Sequence, residues 1–218
     1  MTTRPFPYGE SLQFAWETFK KNATFLLAAV FIVFFVNLLL GIADAIGENV
    51  GGKVGFMMWV TYVLISAIIE LGMMKICLKI VDGREPHFED LFNTIAMFFK
   101  YAAASILYVV MVVIGMVFLV VPGIYLAIRF QFYFMCIIDE GLGPIAALEK
   151  SSRLTVGIKL DLFVFALLMG AINVAGAMCL MVGLFVSVPV SLLAYAFVYR
   201  YLNGPVNDAE IVTEAKAA

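Results

Sequence analysis

The chain alternates long apolar runs with shorter stretches of mixed polar and apolar residues. A bilayer core is crossed by roughly 18–20 apolar residues in a helix. Four runs, none of them shorter than this, cover residues 23–40, 54–71, 101–121 and 162–188. Backbone amides inside a bilayer must be paired within their own segment, so we expect helices. The last run continues uncharged to Tyr199 and is long enough for two spans, with a break expected near Gly183 to Pro189.

A fifth apolar segment, residues 124–138, is shorter and contains Arg129 near its centre. It would extend about 22 Å as a helix, against a bilayer core of about 30 Å. A central arginine also costs about 3 kcal/mol of insertion free energy. We therefore expect this segment to insert as a hairpin with the run before it, tilted or short, with Pro122-Gly123 as the turn.

Three amphipathic segments precede the apolar runs. The first, residues 11–19, places Trp16 and Phe19 on one stripe, where they are predicted to anchor the helix at the membrane interface. The second, residues 88–99, has a phenylalanine-rich stripe. The third, residues 144–156, has Ile145, Leu148, Ser152 and Val156 on one side and the pair Glu149 and Arg153 on the other.

These patterns predict an all-α integral membrane protein with about six transmembrane helices. We expect three hairpins, each preceded by an amphipathic in-plane helix, as a three-fold internal repeat with modules 7–80, 86–138 and 144–202. The modules would form a single polytopic membrane domain over residues 1–202. A polar flexible loop is expected at residues 44–53, and a polar disordered tail at residues 203–218.

Composition supports the membrane assignment and sets the expected orientation. Hydrophobic residues make up 64% of the chain, charged residues 14%, and the mean hydropathy is +1.03, well outside the range of soluble domains. Of the 14 lysines and arginines, Lys53 alone falls on the side of the first, third and fifth connections, and Arg129 lies within a segment. The remainder share the side of the termini, so we expect a multi-pass protein of the cell membrane with both termini cytoplasmic.

The sequence contains no recognisable catalytic or metal-binding motif. His87 is the single histidine, and the cysteines at positions 77, 136 and 179 lack metal-ligand spacing. No basic run exceeds the pair Lys20-Lys21, which argues against nucleic-acid binding. We therefore predict no catalytic, cofactor or metal site, and no enzyme activity.

Four polar residues within the apolar runs are the candidates for a functional site. Glu70 and Arg129 are ionisable, and such residues inside a membrane are often functional. Asn37 and Asn173 are strongly polar, although an asparagine in a span most often bonds a neighbouring helix. These four side chains would form an intramembrane polar site if the fold brought them together.

Two stretches, residues 121–129 and 139–148, combine a Pro-Gly pair, Arg129, an acidic corner and a helix that starts at Gly143-Pro144. This pattern resembles a broad group of poorly characterised prokaryotic six-span membrane proteins. They are related to the membrane domain found next to some glycerophosphodiester phosphodiesterases. The resemblance implies an integral membrane module of six spans, without the separate catalytic domain, whose histidine and carboxylate motifs are absent here.

The function expected from these features is that of a non-enzymatic membrane module, acting through protein partners or by organising lipid. Its expected partners are membrane lipids and a protein partner or a second copy of the chain. The alternative is a small-solute or lipid transporter, in which Glu70, Arg129, Asn37 and Asn173 would line a polar cavity. Water around Arg129 would favour transport, and packed side chains there would favour the module.

Overall fold

The computed structural model describes residues 6–50, 52–91, 94–179 and 182–204. These residues form nine α-helices and one short 3₁₀ helix, with no β-strand among them. The helices are α1 (Tyr8–Lys21), α2 (Ala23–Val50), α3 (Gly52–Val81), the 3₁₀ helix (Phe88–Leu91), α4 (Ile95–Phe118), α5 (Val120–Phe130), α6 (Tyr133–Glu140), α7 (Pro144–Leu154), α8 (Lys159–Met178) and α9 (Leu184–Leu202). From residue 205 onward, the predicted disordered tail lies outside the described residues.

Six segments of the described chain are long and apolar enough to cross a membrane: α2, α3, α4, α5 together with α6, α8 and α9. The prediction of an all-helical chain with six segments of membrane-spanning length and apolarity is confirmed for the described residues. The fourth segment is longer than expected, because it begins at Val120 and ends at Glu140 and so contains 21 residues. At about 1.5 Å per residue its length approaches the thickness of a bilayer core.

Helices that follow one another in the chain pack side by side: α2 with α3, α4 with α5, and α8 with α9. Burial along α2 recurs at steps of three or four residues, the spacing of two helices packed along one seam. This seam on α2 includes the buried Leu26 and Ala29 and continues through Val33, Asn37, Leu40, Asp44 and Gly47. The opposite face is apolar and exposed, as the side chains of Phe35, Leu39 and Ile42 show.

The hydrophobic core lies at one end of the bundle, which we call the base. It is formed by α1, the second half of α3, α6, α7 and the second half of α9. Its fully buried side chains include Leu71, Ile76, Ile137, Leu193 and Tyr199. At the other end, the turn between α4 and α5 carries exposed apolar residues from Val117 to Val121. Packing between the pairs is therefore concentrated at the base.

The expected flexible loop at residues 44–53 is wrong. Helix α2 continues to Val50 and α3 begins at Gly52, so residue 51, which lies outside the described residues, is the only one between them. Gly47 is used for packing, since a Cβ there would lie 2.5 Å from the sulfur of Met58. Gly47 therefore lets two helices approach closely, whereas Gly52, with a φ of +62°, lies where the chain turns into α3.

The turn between α4 and α5 lies at Leu119, whose backbone is extended, and not at Pro122-Gly123. Pro122 occupies the first turn of α5, where a helix needs no backbone N–H from it. A Cβ on Gly123 would lie 2.8 Å from the backbone nitrogen of Met116. The Pro-Gly pair therefore starts a helix and brings it close to α4.

The break between α8 and α9 also falls earlier than expected. Helix α8 ends at Met178 and α9 begins at Leu184, so Pro189 lies inside α9. Gly183 is in contact with Gly176, because a Cβ on Gly183 would lie 2.5 Å from the carbonyl oxygen of Gly176. The turn forms where these two glycines allow the backbones to meet.

The second amphipathic segment is not one helix. The 3₁₀ helix ends at Leu91, residues 92–93 lie outside the described residues, and α4 starts at Ile95. The segment is held on α3, since the Thr94 hydroxyl donates to the Ile68 carbonyl at 3.1 Å. Leu91 is buried in the protein core. Contacts with protein therefore account for the position of this segment.

Candidate functional site

The ends of three helices meet at the base around one arginine. Arg200, in the last turn of α9, contacts Asp82 just after α3 (Nε to Oδ1, 2.7 Å) and Asp139 at the end of α6 (Nη1 to Oδ2, 2.5 Å). Its Nη2 donates to both carboxylates at 2.7 Å. Helix C-terminal ends carry partial negative charge, so two carboxylates placed there need a cation. Arg200 supplies it and ties α3, α6 and α9 together.

The acidic corner Asp139-Glu140 is fully engaged by this cluster. The Tyr199 hydroxyl donates to Asp139 at 3.1 Å, and the Asn203 amide donates to Glu140 at 3.1 Å. Lys150 of α7 forms an ion pair with Glu140. The corner that carries the resemblance described above is therefore a structural joint between α6, α7 and α9.

A second ion pair fixes the 3₁₀ helix to α3. Lys79 contacts both oxygens of Asp90 at 2.7 Å, and the His87 backbone amide donates to the same carboxylate at 3.1 Å. Burial alone would raise the pKa of Asp90, but these hydrogen bonds lower it below its usual value. A carboxyl whose pKa is lowered by folding stabilises the fold at neutral pH. This contribution is lost as the pH falls through the lowered pKa.

The backbone between α5 and α6 breaks at residues 131–132, and α7 satisfies the groups that the break frees. Ser151 accepts a hydrogen bond from the Phe132 amide at 3.1 Å and donates to the Arg129 carbonyl at 3.3 Å. The Thr155 hydroxyl donates to the same carbonyl at 3.2 Å. Non-helical backbone within a membrane segment is tolerated when protein groups pair with it. Helix α7 provides those groups.

The side chain of Arg129 lies against α7 as well. Its Nε donates to the Ser152 hydroxyl at 2.7 Å, and its guanidinium lies 5.4 Å from the centre of the Phe130 ring. One turn earlier on α5, Tyr125 receives a hydrogen bond of 2.6 Å from Lys159, at the start of α8. Neither Arg129 nor Lys159 has a carboxylate partner within the part of the chain that the structure describes.

The two asparagines are in different helix pairs. Asn37 accepts a hydrogen bond of 2.9 Å from Ser66, which joins α2 to α3. Asn173 donates to Ser191 at 3.1 Å, which joins α8 to α9. Each asparagine therefore forms the helix–helix contact that is usual for this residue in a span.

Glu70 does not join these groups. Its side chain lies on the exposed face of α3, and among the described residues it forms no hydrogen bond or ion pair with Arg129, Asn37 or Asn173. Asn37, Arg129 and Asn173 make their polar contacts in separate parts of the fold, so the described contacts of the four predicted residues form no shared site.

The two predicted interface anchors have different surroundings. Trp16 is 47% exposed and remains available for an interface. Phe19 is 5% exposed and belongs to the base core, so its prediction as an anchor is wrong. Helix α1 packs on α9, where the rings of Phe14 and Phe197 have their centres 4.7 Å apart. Protein packing holds Phe19, and lipid is not needed for it.

The buried face of α7 is also shifted by one position from the predicted one. Ile145 and Val156 were expected on the apolar side with Leu148, but they are 74% and 67% exposed. The buried residues of the segment are Ala147, Leu148, Ser151, Leu154 and Thr155. The hydroxyls of Ser151 and Thr155 are on the inner face because the break in the preceding segment needs them.

No protein-family model, curated protein or solved structure matches this chain. The described residues also contain no group of three or more His, Cys, Asp or Glu side chains that could hold a metal ion.

Sequence reasoning missed three groups at the base: Arg200 with its carboxylates, the hydroxyls of Ser151 and Thr155, and Gly72, where a Cβ would lie 2.3 Å from the carbonyl oxygen of Leu91. Ser151 and Thr155 did carry a signal, since they are four residues apart and so share a helix face. Arg200 and Asp82 carried none, because 118 residues separate them. Only the folded chain shows that they meet.

Proposed function

We propose that this chain is a non-enzymatic integral membrane module that organises lipid around its paired helices. The observation that carries the proposal is that these polar groups of the chain bond to other groups of the protein. The Asn37 and Asn173 amides join paired helices, the Arg129 carbonyl is satisfied by α7, and the acidic corner is neutralised at the base. The apolar faces of the same helices remain exposed, and lipid chains would cover them.

The three-module organisation belongs to this proposal. In support of it, each set of helices that follow one another in the chain contains a hydrogen bond between side chains of its own. The bonded side chains are Asn37 with Ser66, Ser105 with Tyr133, and Asn173 with Ser191. Each unit could then insert with this side-chain hydrogen bond already formed. The proposed cell-membrane location with cytoplasmic termini rests on the distribution of lysine and arginine along the chain.

A transporter of small solutes or lipids is the second candidate, and one observation favours it. The Oδ1 atom of Asn173 and the hydroxyl of Ser187 are buried without a hydrogen-bond partner. Both lie between α8 and α9, close to Gly176. A water-filled path along this pair of helices would satisfy both atoms.

Copurification in mild detergent tests the proposal. We expect the purified chain to retain several lipid molecules, quantified by mass spectrometry. Retention should be unchanged in the double variant Asn37→Val/Asn173→Val, because these amides only join neighbouring helices. The variant should lose about 0.6 kcal/mol of stability for each interhelical hydrogen bond, which is the average for such bonds. A conservative Leu40→Val variant on the same seam of α2 serves as a packing control.

The outcome that would contradict the proposal is a wild-type chain that retains no lipid under conditions where other polytopic proteins do. Equally damaging would be a double variant that melts like the wild type but fails in a solute flux assay with proteoliposomes.

A further inference from the structure

The strongest unexplained feature is a pair of cations beside Tyr125. Arg129 lies one helical turn after Tyr125 on α5, and Lys159 reaches the Tyr125 hydroxyl from α8, with its Nζ 4.3 Å from the ring centre. Side chains four apart on a helix are about 5–6 Å apart at their Cβ atoms. Arg129 and Lys159 are therefore both neighbours of Tyr125, one along α5 and the other from α8.

Several other bases are paired with carboxylates, whereas Lys100 donates to the Gly141 carbonyl at 2.7 Å. Lys79 is paired with Asp90, Lys150 with Glu140, and Arg153 with Glu149. Asp161, near Lys159 in sequence, accepts its hydrogen bond from Tyr8 at 2.9 Å. Within the described chain, Arg129 and Lys159 thus contact only neutral side chains. No described carboxylate pairs with either of their positive charges.

Arg129 is also held in position. Its Nε donates to Ser152, and the described residues provide no hydrogen-bond acceptor for its two terminal nitrogens. A guanidinium offers two parallel N–H groups that match the oxygens of a phosphate. Lys159 has further N–H donors beyond the one used by Tyr125.

An apolar surface continues from the cations along α8. Leu160, Val164 and Leu167 are exposed at positions i, i+4 and i+7, so they form one stripe, and Leu160 is 80% exposed. Helix α5 packs beside α8, and its exposed Val121 lies one turn before Tyr125. A headgroup at the cations would place its acyl chains on this surface.

We propose that Arg129 and Lys159 bind the phosphate of an anionic membrane lipid, whose acyl chains lie along the exposed stripe of α8. The inference rests on the proposed lipid-organising function and gives it a specific headgroup. Basic groups between membrane helices are a recurrent way of binding anionic headgroups.

The test uses the full chain in mild detergent with added phosphatidylglycerol or phosphatidylcholine, and native mass spectrometry of the lipid adducts. In the wild type we expect phosphatidylglycerol to be preferred. Arg129→Gln/Lys159→Gln should reduce its apparent affinity by about tenfold or more, because two cations near the headgroup are removed. The matched control Lys20→Gln/Arg153→Gln removes the same charge from exposed positions of α1 and α7 and should bind like the wild type.

Three results would overturn the proposal: a double variant that binds phosphatidylglycerol like the control, a wild type that binds phosphatidylcholine equally well, or displacement of the lipid by millimolar inorganic phosphate. The last result would assign the site to a soluble anion. If the double variant does not fold, Lys159→Gln alone should still lose about threefold or more in affinity. The total amount of lipid that copurifies distinguishes this site from the proposed lipid-organising function. If the chain still retains lipid but does not prefer phosphatidylglycerol, only the proposed headgroup site is refuted.

Discussion

Replacing Gly72 with alanine should destabilise the protein more than a glycine-to-alanine substitution at any other glycine of the base. A Cβ at Gly72 would lie 2.3 Å from the carbonyl oxygen of Leu91 and 2.4 Å from its Cα. Both atoms are backbone, so no side-chain rotation can relieve the clash. The 3₁₀ helix would have to move away from α3, and with it the ion pair between Asp90 and Lys79.

Two opposing effects decide the size of the loss. Alanine is better than glycine inside a helix by about 1 kcal/mol. Overpacking costs about 1–3 kcal/mol and more when backbone must shift. We expect a net loss of about 2 kcal/mol, or roughly 5 °C in apparent Tm for a chain of this size. Differential scanning fluorimetry in detergent would measure it.

Gly170→Ala is the control for this change. Gly170 lies in α8 with no atom within 4 Å of an added Cβ, so alanine there should be neutral or slightly stabilising. If Gly72→Ala and Gly170→Ala melt together, the 3₁₀ helix does not rest on α3 as described.

Replacing Arg200 with leucine is the second change with a large expected effect. Asp82 and Asp139 would keep their charges at the C-terminal ends of two helices, while Asp139 would lose its only described ion-pair partner. The side chains of the two carboxylates are each 16% exposed, so water compensates for only part of the loss. Removing one partner of a buried pair costs about 3–5 kcal/mol, and we expect a value near the lower end.

A triple variant separates charge from packing in this cluster. Asp82→Leu/Asp139→Leu/Arg200→Leu removes all three charges, and we expect it to melt above Arg200→Leu, since apolar groups often replace a buried ion cluster at little cost. Arg153→Leu is the surface control, because its exposed pair with Glu149 contributes only about 0.3–0.5 kcal/mol. A single variant as stable as this control would show that Arg200 does not tie the three helices together.

The sequence predicted the elements whose signal is local. Apolar runs of membrane length, the N-terminal helix and the start of α7 at Pro144 all follow from periodicity and proline position. The turns were less predictable. Glycine is typical of loops, yet Gly47, Gly123 and Gly183 each let one helix approach its partner closely. Whether a glycine bends a chain or packs a helix depends on the neighbouring element, which sequence alone does not contain.

The contacts of the candidate site are even less predictable from the sequence, because they join segments that are distant in the chain. Arg129 has a local signal, because it is a charge within an apolar segment, but its partner Ser152 and its neighbour Lys159 lie on segments whose contacts depend on the break between α5 and α6. The sequence does not predict that break, because residues 124–138 form one apolar segment in it. Predicting the inner face of α7 required knowledge of the break.

If the polar groups of the spans join helices and do not line a water-filled path, a water-soluble reagent should not reach them. Substituted-cysteine accessibility measures this without knowledge of a cargo. Single cysteines at Asn37, Asn173, Lys53 and Arg84, in a background without the native cysteines, would be exposed to an impermeant maleimide. We predict labelling of Lys53→Cys on intact cells, labelling of Arg84→Cys only after permeabilisation, and no labelling of Asn37→Cys or Asn173→Cys in either case. Labelling of either asparagine position at a rate near that of Lys53→Cys would contradict the account.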